Sequence, residues 1–142
     1  MLSGRTTLVG LIGNPVEHSL SPAMHNAAFA ARGLDWAYLP LLVQDGRVED
    51  AVRGLVALGF AGANVTAPYK AAAAAACETE LGSVNVLLVR DGRVHGLSTD
   101  AAILDGLPAE RPVILGSGGA AGAFRAALPG ARDQQLVRPL RV

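Results

Sequence analysis

The sequence predicts an α/β protein: a mainly parallel, mixed sheet flanked by helices, followed by the start of a second strand–turn–helix unit. Three observations predict this. Short apolar runs alternate with helical patterns along the chain, the order of βαβ units. Asp91-Gly92, between two apolar-rich segments, marks a hairpin and so adds an antiparallel strand, which makes the sheet mixed. The composition is 51% hydrophobic but only 4% aromatic, with 17 glycines, so the core of this folded chain is built from Ala, Val and Leu.

The elements follow in order. Residues 6–13 (TTLVGLIG) form an apolar run ending in Gly-Asn-Pro, a buried strand and its turn. Ser21 is a suitable N-cap, Pro22 suits the first helical position, and Gly33 can end that helix. Met24, Ala27, Ala28 and Ala31 would be its apolar stripe. Residues 36–42 (WAYLPLL) read as a strand, and Pro40 places it at an edge or makes it end there. Residues 48–60 carry a helical pattern, 61–65 a short strand, and 69–80, with six consecutive alanines, very high helix propensity. Residues 83–98 supply the hairpin, and a brief helical stretch runs through Ile103 and Leu104. Residues 107–112 (LPAERP) read as a linker, dividing the chain into domains of 1–106 and 107–142. A strand–turn–helix unit restarts at VILGSGGAAGAF, and one further strand fits within the last ten residues.

Charge and composition exclude several functions. Twelve basic and twelve acidic residues give a formal charge of zero, so no electrostatic case exists for nucleic acid or an anionic membrane. No apolar run reaches the roughly 18 residues of a membrane span, and the N-terminus lacks a signal-peptide pattern, pointing to a soluble cytoplasmic protein. The single cysteine, Cys77, excludes an internal disulfide and reads as a buried structural thiol. The three histidines lack metal-ligand spacing; His18 could line a ligand rim, His25 reads as a partly buried structural residue and His95 sits on the hairpin. No metal is expected.

Four stretches could carry chemistry. HSLSP (18–22) places Ser19 and Ser21 at the mouth of the first strand, either to cap a helix or to hold a small anion or polyol. NVTAPYK (64–70) sets polar groups at the carboxyl end of a strand, the rim at which open α/β sheets bind ligands. Lys70 there opens a helix, against the helix dipole, which suggests function unless the lysine merely points into water. STD (98–100) is either a helix cap or the source of an aspartate that steers the proton of a nearby lysine. GSGGAAG (116–122) matches G-x-G-x-x-A through Gly116, Gly118 and Ala121: a tight turn, close backbone approach to a pyrophosphate, and close helix–strand packing. An ordinary glycine-rich turn is the other reading. Arg138, near the end of a second strand, is either a surface residue or a 2′-phosphate ligand.

Taken together and in this order, HSLSP, NVTAPYK, SVN, STD and GSGGAAG resemble the signature set of the shikimate dehydrogenase family, over residues 7 to 138. The resemblance implies a substrate domain followed by a Rossmann domain, with the active site between them. It implies NADPH-dependent reduction of 3-dehydroshikimate to shikimate, in the pathway to aromatic amino acids; a related branch handles quinate. By position, Ser19 and Ser21 would bind the substrate carboxylate, while Asn64, Thr66, Asn85 and Asp100 would hold the ring hydroxyls. Lys70 and Asp100 would be the catalytic pair, and Gly116, Gly118, Gly119, Ala120, Ala121 and Arg138 would line the NADP site. The chain departs from the pattern at Ser98, where Asn is usual, at Ala101, where Gly is usual, and in a short segment between Lys70 and Asn85. It also stops near the second Rossmann strand, as if truncated within that domain, with no counterpart of the family's C-terminal glutamine. Apolar sheet left bare there would need cover from the first domain or from another chain, as in a homodimer. A non-catalytic polyol-binding protein that lost the cofactor half, and a quinate dehydrogenase, are the alternatives.

Overall fold

The computed structural model describes residues 2–104, 112–116 and 118–134. Its elements are β1 (Thr7–Gly13), α1 (Ser21–Ala31), β2 (Trp36–Leu42), α2 (Val48–Ala57), β3 (Phe60–Val65), α3 (Lys70–Ala75), β4 (Val86–Arg90), β5 (Arg93–Leu97), a 3₁₀ helix (Asp100–Leu104), β6 (Val113–Leu115), α4 (Gly119–Ala127) and β7 (Arg132–Gln134). The first five strands form one sheet in the order β2-β1-β3-β4-β5. β2, β1 and β3 run parallel, and β4 is antiparallel to both of its neighbours. Hence only β4 is reversed. The carboxyl ends of β1, β2, β3 and β5 and the amino end of β4 therefore share a single rim.

Alternation along the strands divides the core between the two faces of the sheet. Ile12, Ala63 and Leu87 join Val52 and Leu55 of α2 and Ala73 of α3 in the larger cluster. Leu11, Val16 and Tyr38 form the smaller one, with Val9 and Phe29 packed against them. Fully burying each of Ile12, Val52 and Leu87 contributes about 1.5–3 kcal/mol. α1 has no buried residue. It is fastened through Asn26, whose side chain donates to Tyr38 O at 2.9 Å and accepts from Tyr38 N at 2.8 Å. Two such bonds are worth about 1 kcal/mol each, comparable to one buried methyl-sized group.

Several local expectations hold. β2 spans residues 36–42 as predicted and lies at the sheet edge, where the missing N–H of Pro40 costs least. Gly33 (φ +64) closes α1 in a Schellman arrangement, Gly33 N–H to Ala30 O and Leu34 N–H to Phe29 O. Asp91 and Gly92 both have positive φ, 51° and 74°, as a tight hairpin turn requires.

Others need correction. The helical stripe expected at Met24, Ala27, Ala28 and Ala31 is exposed; α1 instead rests on the sheet through His25 and Phe29, a face rotated from the apolar count. Leu20, not Ser21, is the N-cap, so Ser21 and Pro22 are the first two helical residues. Residues 58–60 leave the predicted helix because Gly59 (φ +71) turns the chain and Phe60 starts β3. The hairpin strands begin only at Val86, leaving 83–85 as connection. The largest miss is α3, six residues where twelve were expected. Glu78 is claimed by β5: its N–H donates to Val94 O at 2.8 Å and its C=O accepts from Gly96 N at 3.0 Å. Tertiary pairing thus overrides the propensity of the alanines. Cys77 is half-buried rather than buried, with burial pushing its thiol pKa up.

β6 and β7 pair in parallel across α4, a second and smaller sheet. Most of the predicted linker and all of Arg138 lie outside the described residues.

Candidate active site

Lys70 is the first residue of α3, delivered by the loop leaving β3. Tyr69 sets that start: it is 6% exposed, and its hydroxyl lies 2.9 Å from Val43 O and 2.6 Å from Asp45 Oδ1, tying the loop after β3 to the loop after β2. From there Lys70 Nζ donates to Asp100 Oδ2 at 2.6 Å, with the two side chains 19% and 16% exposed.

Asp100 arrives from the other side of the rim, just beyond β5. Asn85, just before β4, donates from Nδ2 to Asp100 Oδ1 at 2.8 Å and to Thr99 Oγ1 at 2.9 Å, and its Oδ1 accepts the Thr99 N–H at 2.9 Å. Ser98 Oγ accepts the Asp100 N–H at 3.4 Å. Asn64, on β3, donates from Nδ2 toward Asn85 O at 3.4 Å and accepts the Tyr38 hydroxyl at 2.8 Å. A line of hydrogen bonds thus runs Tyr38–Asn64–Asn85–Asp100–Lys70 across three strands and into α3. Of the predicted substrate residues, Asn64, Lys70, Asn85 and Asp100 come together in it.

Ser19 and Thr66, on the loops leaving β1 and β3, and Ser21, the first residue of α1, sit at the same rim, outside that line. Ser19 Oγ accepts the Ser21 N–H at 3.2 Å, which shapes the turn into α1. Thr66 donates its N–H to Ile12 O at 2.9 Å, and its methyl fills the space a Cβ on Gly13 would need.

Burial separates the Lys70–Asp100 pair from the other ion pairs. Arg53–Glu49 on α2 is 66% and 71% exposed, and such surface pairs contribute about 0–1 kcal/mol. Lys70 and Asp100 are mostly withdrawn from water, where removing one partner strands a charge and costs several-fold more, about 3–5 kcal/mol when burial is complete. Held by Asn85 on one oxygen and the lysine on the other, the carboxylate fixes an amine at the rim that can transfer a proton to or from a bound oxygen.

The glycine-rich unit meets this pair directly. Gly116 has φ +119, a conformation open to glycine alone, and Arg125 Nη2 donates back to Gly116 O at 2.8 Å. Gly118 caps α4, and a Cβ there would meet nothing within 4 Å. No side chain caps the first turn of α4, and Ala121 is its one buried residue, 8% exposed. The uncapped N–H groups at the start of α4 are of the kind that would hold a dinucleotide phosphate, with Gly116, Gly118, Gly119 and Ala120 the residues that would line it. A Cβ on Gly119, by contrast, would stand 2.7 Å from Ser83 Oγ and 2.9 Å from Lys70 Cδ. The first residue of α4 therefore lies on the lysine stem, and glycine is what allows it. Sequence reasoning missed this contact, the Tyr38 hydroxyl and Ser83, whose oxygen is buried without a hydrogen-bond partner among the described residues. A tyrosine inside an otherwise apolar strand was the available signal for the second of these.

Fold and rim define an α/β ligand-binding domain abutted by a strand–glycine turn–helix unit. Residues 11–87 match the family model described as the shikimate dehydrogenase substrate binding domain, and the chain belongs to that family. It is 46% identical over 149 residues to the shikimate dehydrogenase (NADP(+)) of Methanopyrus kandleri, covering 93% of this chain and 51% of the relative. With the enzyme of the same name from Anaeromyxobacter dehalogenans it shares 47% identity over 138 residues, covering 92% and 47%. The solved shikimate 5-dehydrogenase of Listeria monocytogenes, in complex with shikimate and NAD, superposes with a TM-score of 0.81 at 35% identity, covering 96% of this chain and 54% of that one. The chain spans about half the length of the curated relatives it matches.

Proposed function

We propose that this chain carries the substrate-binding half and the start of the dinucleotide unit of an NADP-dependent shikimate dehydrogenase. Residues 1–106 hold the substrate and 107–142 begin the cofactor side. The observation that carries the reading is the withdrawn Lys70–Asp100 pair, 2.6 Å apart at the sheet rim in a chain of this family. NADPH, when bound, supplies the hydride that reduces the ketone carbon of 3-dehydroshikimate. Lys70 gives the proton that the ketone oxygen takes up as it becomes the alcohol, and Asp100 orients the amine. Asn64, Thr66 and Asn85 bind the ring hydroxyls, and Ser19 and Ser21 bind the carboxylate. A site built of such donors rejects analogues lacking the matching hydroxyl, because the buried polar groups would go unpaired.

The test is nicotinamide absorbance with shikimate and NADP. Reduction that depends on both supports the reading; shikimate binding with no reduction by the natural protein makes it a binding protein instead. Asp100→Asn keeps the shape but loses the charge that orients Lys70. It is expected to lower kcat about 100-fold with a smaller change in KM, measured in the same assay.

A further inference from the structure

Tyr38 is 3% exposed on the edge strand β2, yet its hydroxyl reaches past β1 to Asn64 Oδ1 on β3 at 2.8 Å. Its surroundings hold it in place at each end. Asn26 grips its backbone N–H and C=O, and its ring stacks on His25 with centroids 4.4 Å apart and planes 7° from parallel. Tyr38 and Asn64 together border an apolar groove of about 240 Å³, lined also by Phe29, Trp36, Val86 and Leu88. In such surroundings a hydrogen bond is strengthened and an unpaired amide is costly, so the geometry of the pair is enforced. Burial pushes the Tyr38 phenol above its ordinary pKa, which keeps it a donor.

We propose that Tyr38 is a positioning residue for substrate: its hydroxyl, donating to Oδ1, and Asn85 O, which can only accept, together hold the Asn64 amide so that Nδ2 faces the ligand. An amide has one acceptor oxygen and two N–H donors. Tyr38 engages the oxygen, and Asn85 O takes one N–H at a long 3.4 Å. What remains on the nitrogen is one N–H donor. Asn64 thereby offers an N–H to a substrate atom that accepts, such as a ring hydroxyl oxygen; a flip would turn Oδ1 toward Asn85 O, a carbonyl with no proton to give. This rests on the reading of Asn64 as a substrate residue.

A double-mutant cycle tests it, with shikimate affinity measured by calorimetry on the parent, Tyr38→Phe, Asn64→Ala and the double variant. Tyr38→Phe keeps the ring, its stacking and its packing, so the thermal midpoint serves as the control for folding. Loss of one oriented hydrogen bond is expected to weaken shikimate binding roughly fivefold to tenfold in the parent background. With Asn64 already Ala, the same substitution is expected to cost less than twofold. Equal weakening in both backgrounds would mean Tyr38 acts through the fold and would overturn the proposal. So would unchanged affinity of Tyr38→Phe alongside weakened Asn64→Ala, which leaves the substrate reading standing. If Asn64→Ala binds shikimate as the parent does, the substrate reading of that residue fails, and this inference fails with it.

Discussion

Lys70→Met is expected to lower kcat for shikimate oxidation about 10³-fold while changing its KM only a few-fold. Methionine keeps an unbranched stem against Gly119, so the contact between α3 and the start of α4 survives. What disappears is the amine and its 2.6 Å bond to Asp100. General acid–base catalysis by a positioned group contributes about 10²–10⁴-fold, which sets the size of the effect. Asn85 still donates to the other carboxylate oxygen, so the Asp100 side chain stays in place, though with one charge unpaired. A drop in thermal midpoint should accompany the loss of rate, because the Asp100 charge is left without its partner. Turnover at the parent rate by a folded Lys70→Met protein would remove the lysine from the mechanism.

Gly62→Ala should produce a large loss of stability, about 3 kcal/mol, read as a fall of roughly 10 °C in thermal midpoint for a chain of this size. A Cβ at Gly62 would run into the carbonyl oxygen of Leu87 on the neighbouring strand. That oxygen belongs to backbone, so it cannot swing aside as a side-chain tip does. Relief requires β3 and β4 to part where they pair, Gly62 opposite Leu88 and Ala63 opposite Leu87. Asn64, opposite Val86, and the adjoining Asn85 lie at one end of that pairing, so shikimate affinity should fall together with stability. An alanine variant melting within 2 °C of the parent, by the same size relation, would show that the strands have more slack than this geometry allows.

The parts legible in the sequence are those fixed by local chemistry. Asp91-Gly92 names its turn because few residue pairs accept positive φ twice. Gly33 names the end of α1 for the same reason. The rim residues were legible because Lys70 opens a helix against its dipole, and because several ordered polar motifs fall where open sheets bind ligands. The illegible parts are those set by partners distant in sequence. Nothing in the alanines of α3 foretells that Glu78 will pair with β5 and stop the helix. An apolar count along α1 picks the wrong face because that helix is held by Asn26 and rests on His25 and Phe29, not on its alanines. Tyr38 reads as strand filler until the register of β2, β1 and β3 brings its hydroxyl to Asn64. The Gly119–Lys70 approach, likewise, joins two segments whose motifs each suggested a separate task.

The β4–β5 hairpin has two ends with opposite tolerances. Asn85 and Asp100 flank its open end, while Asp91 and Gly92 project into solvent about 17 Å away, five strand residues further along. Lengthening or shortening at the tip leaves the spacing of amide and carboxylate untouched, so evolution or an engineer has a free hand there. A single residue added at the root, on either strand, would move one anchor relative to the other and turn its side chain to the opposite face.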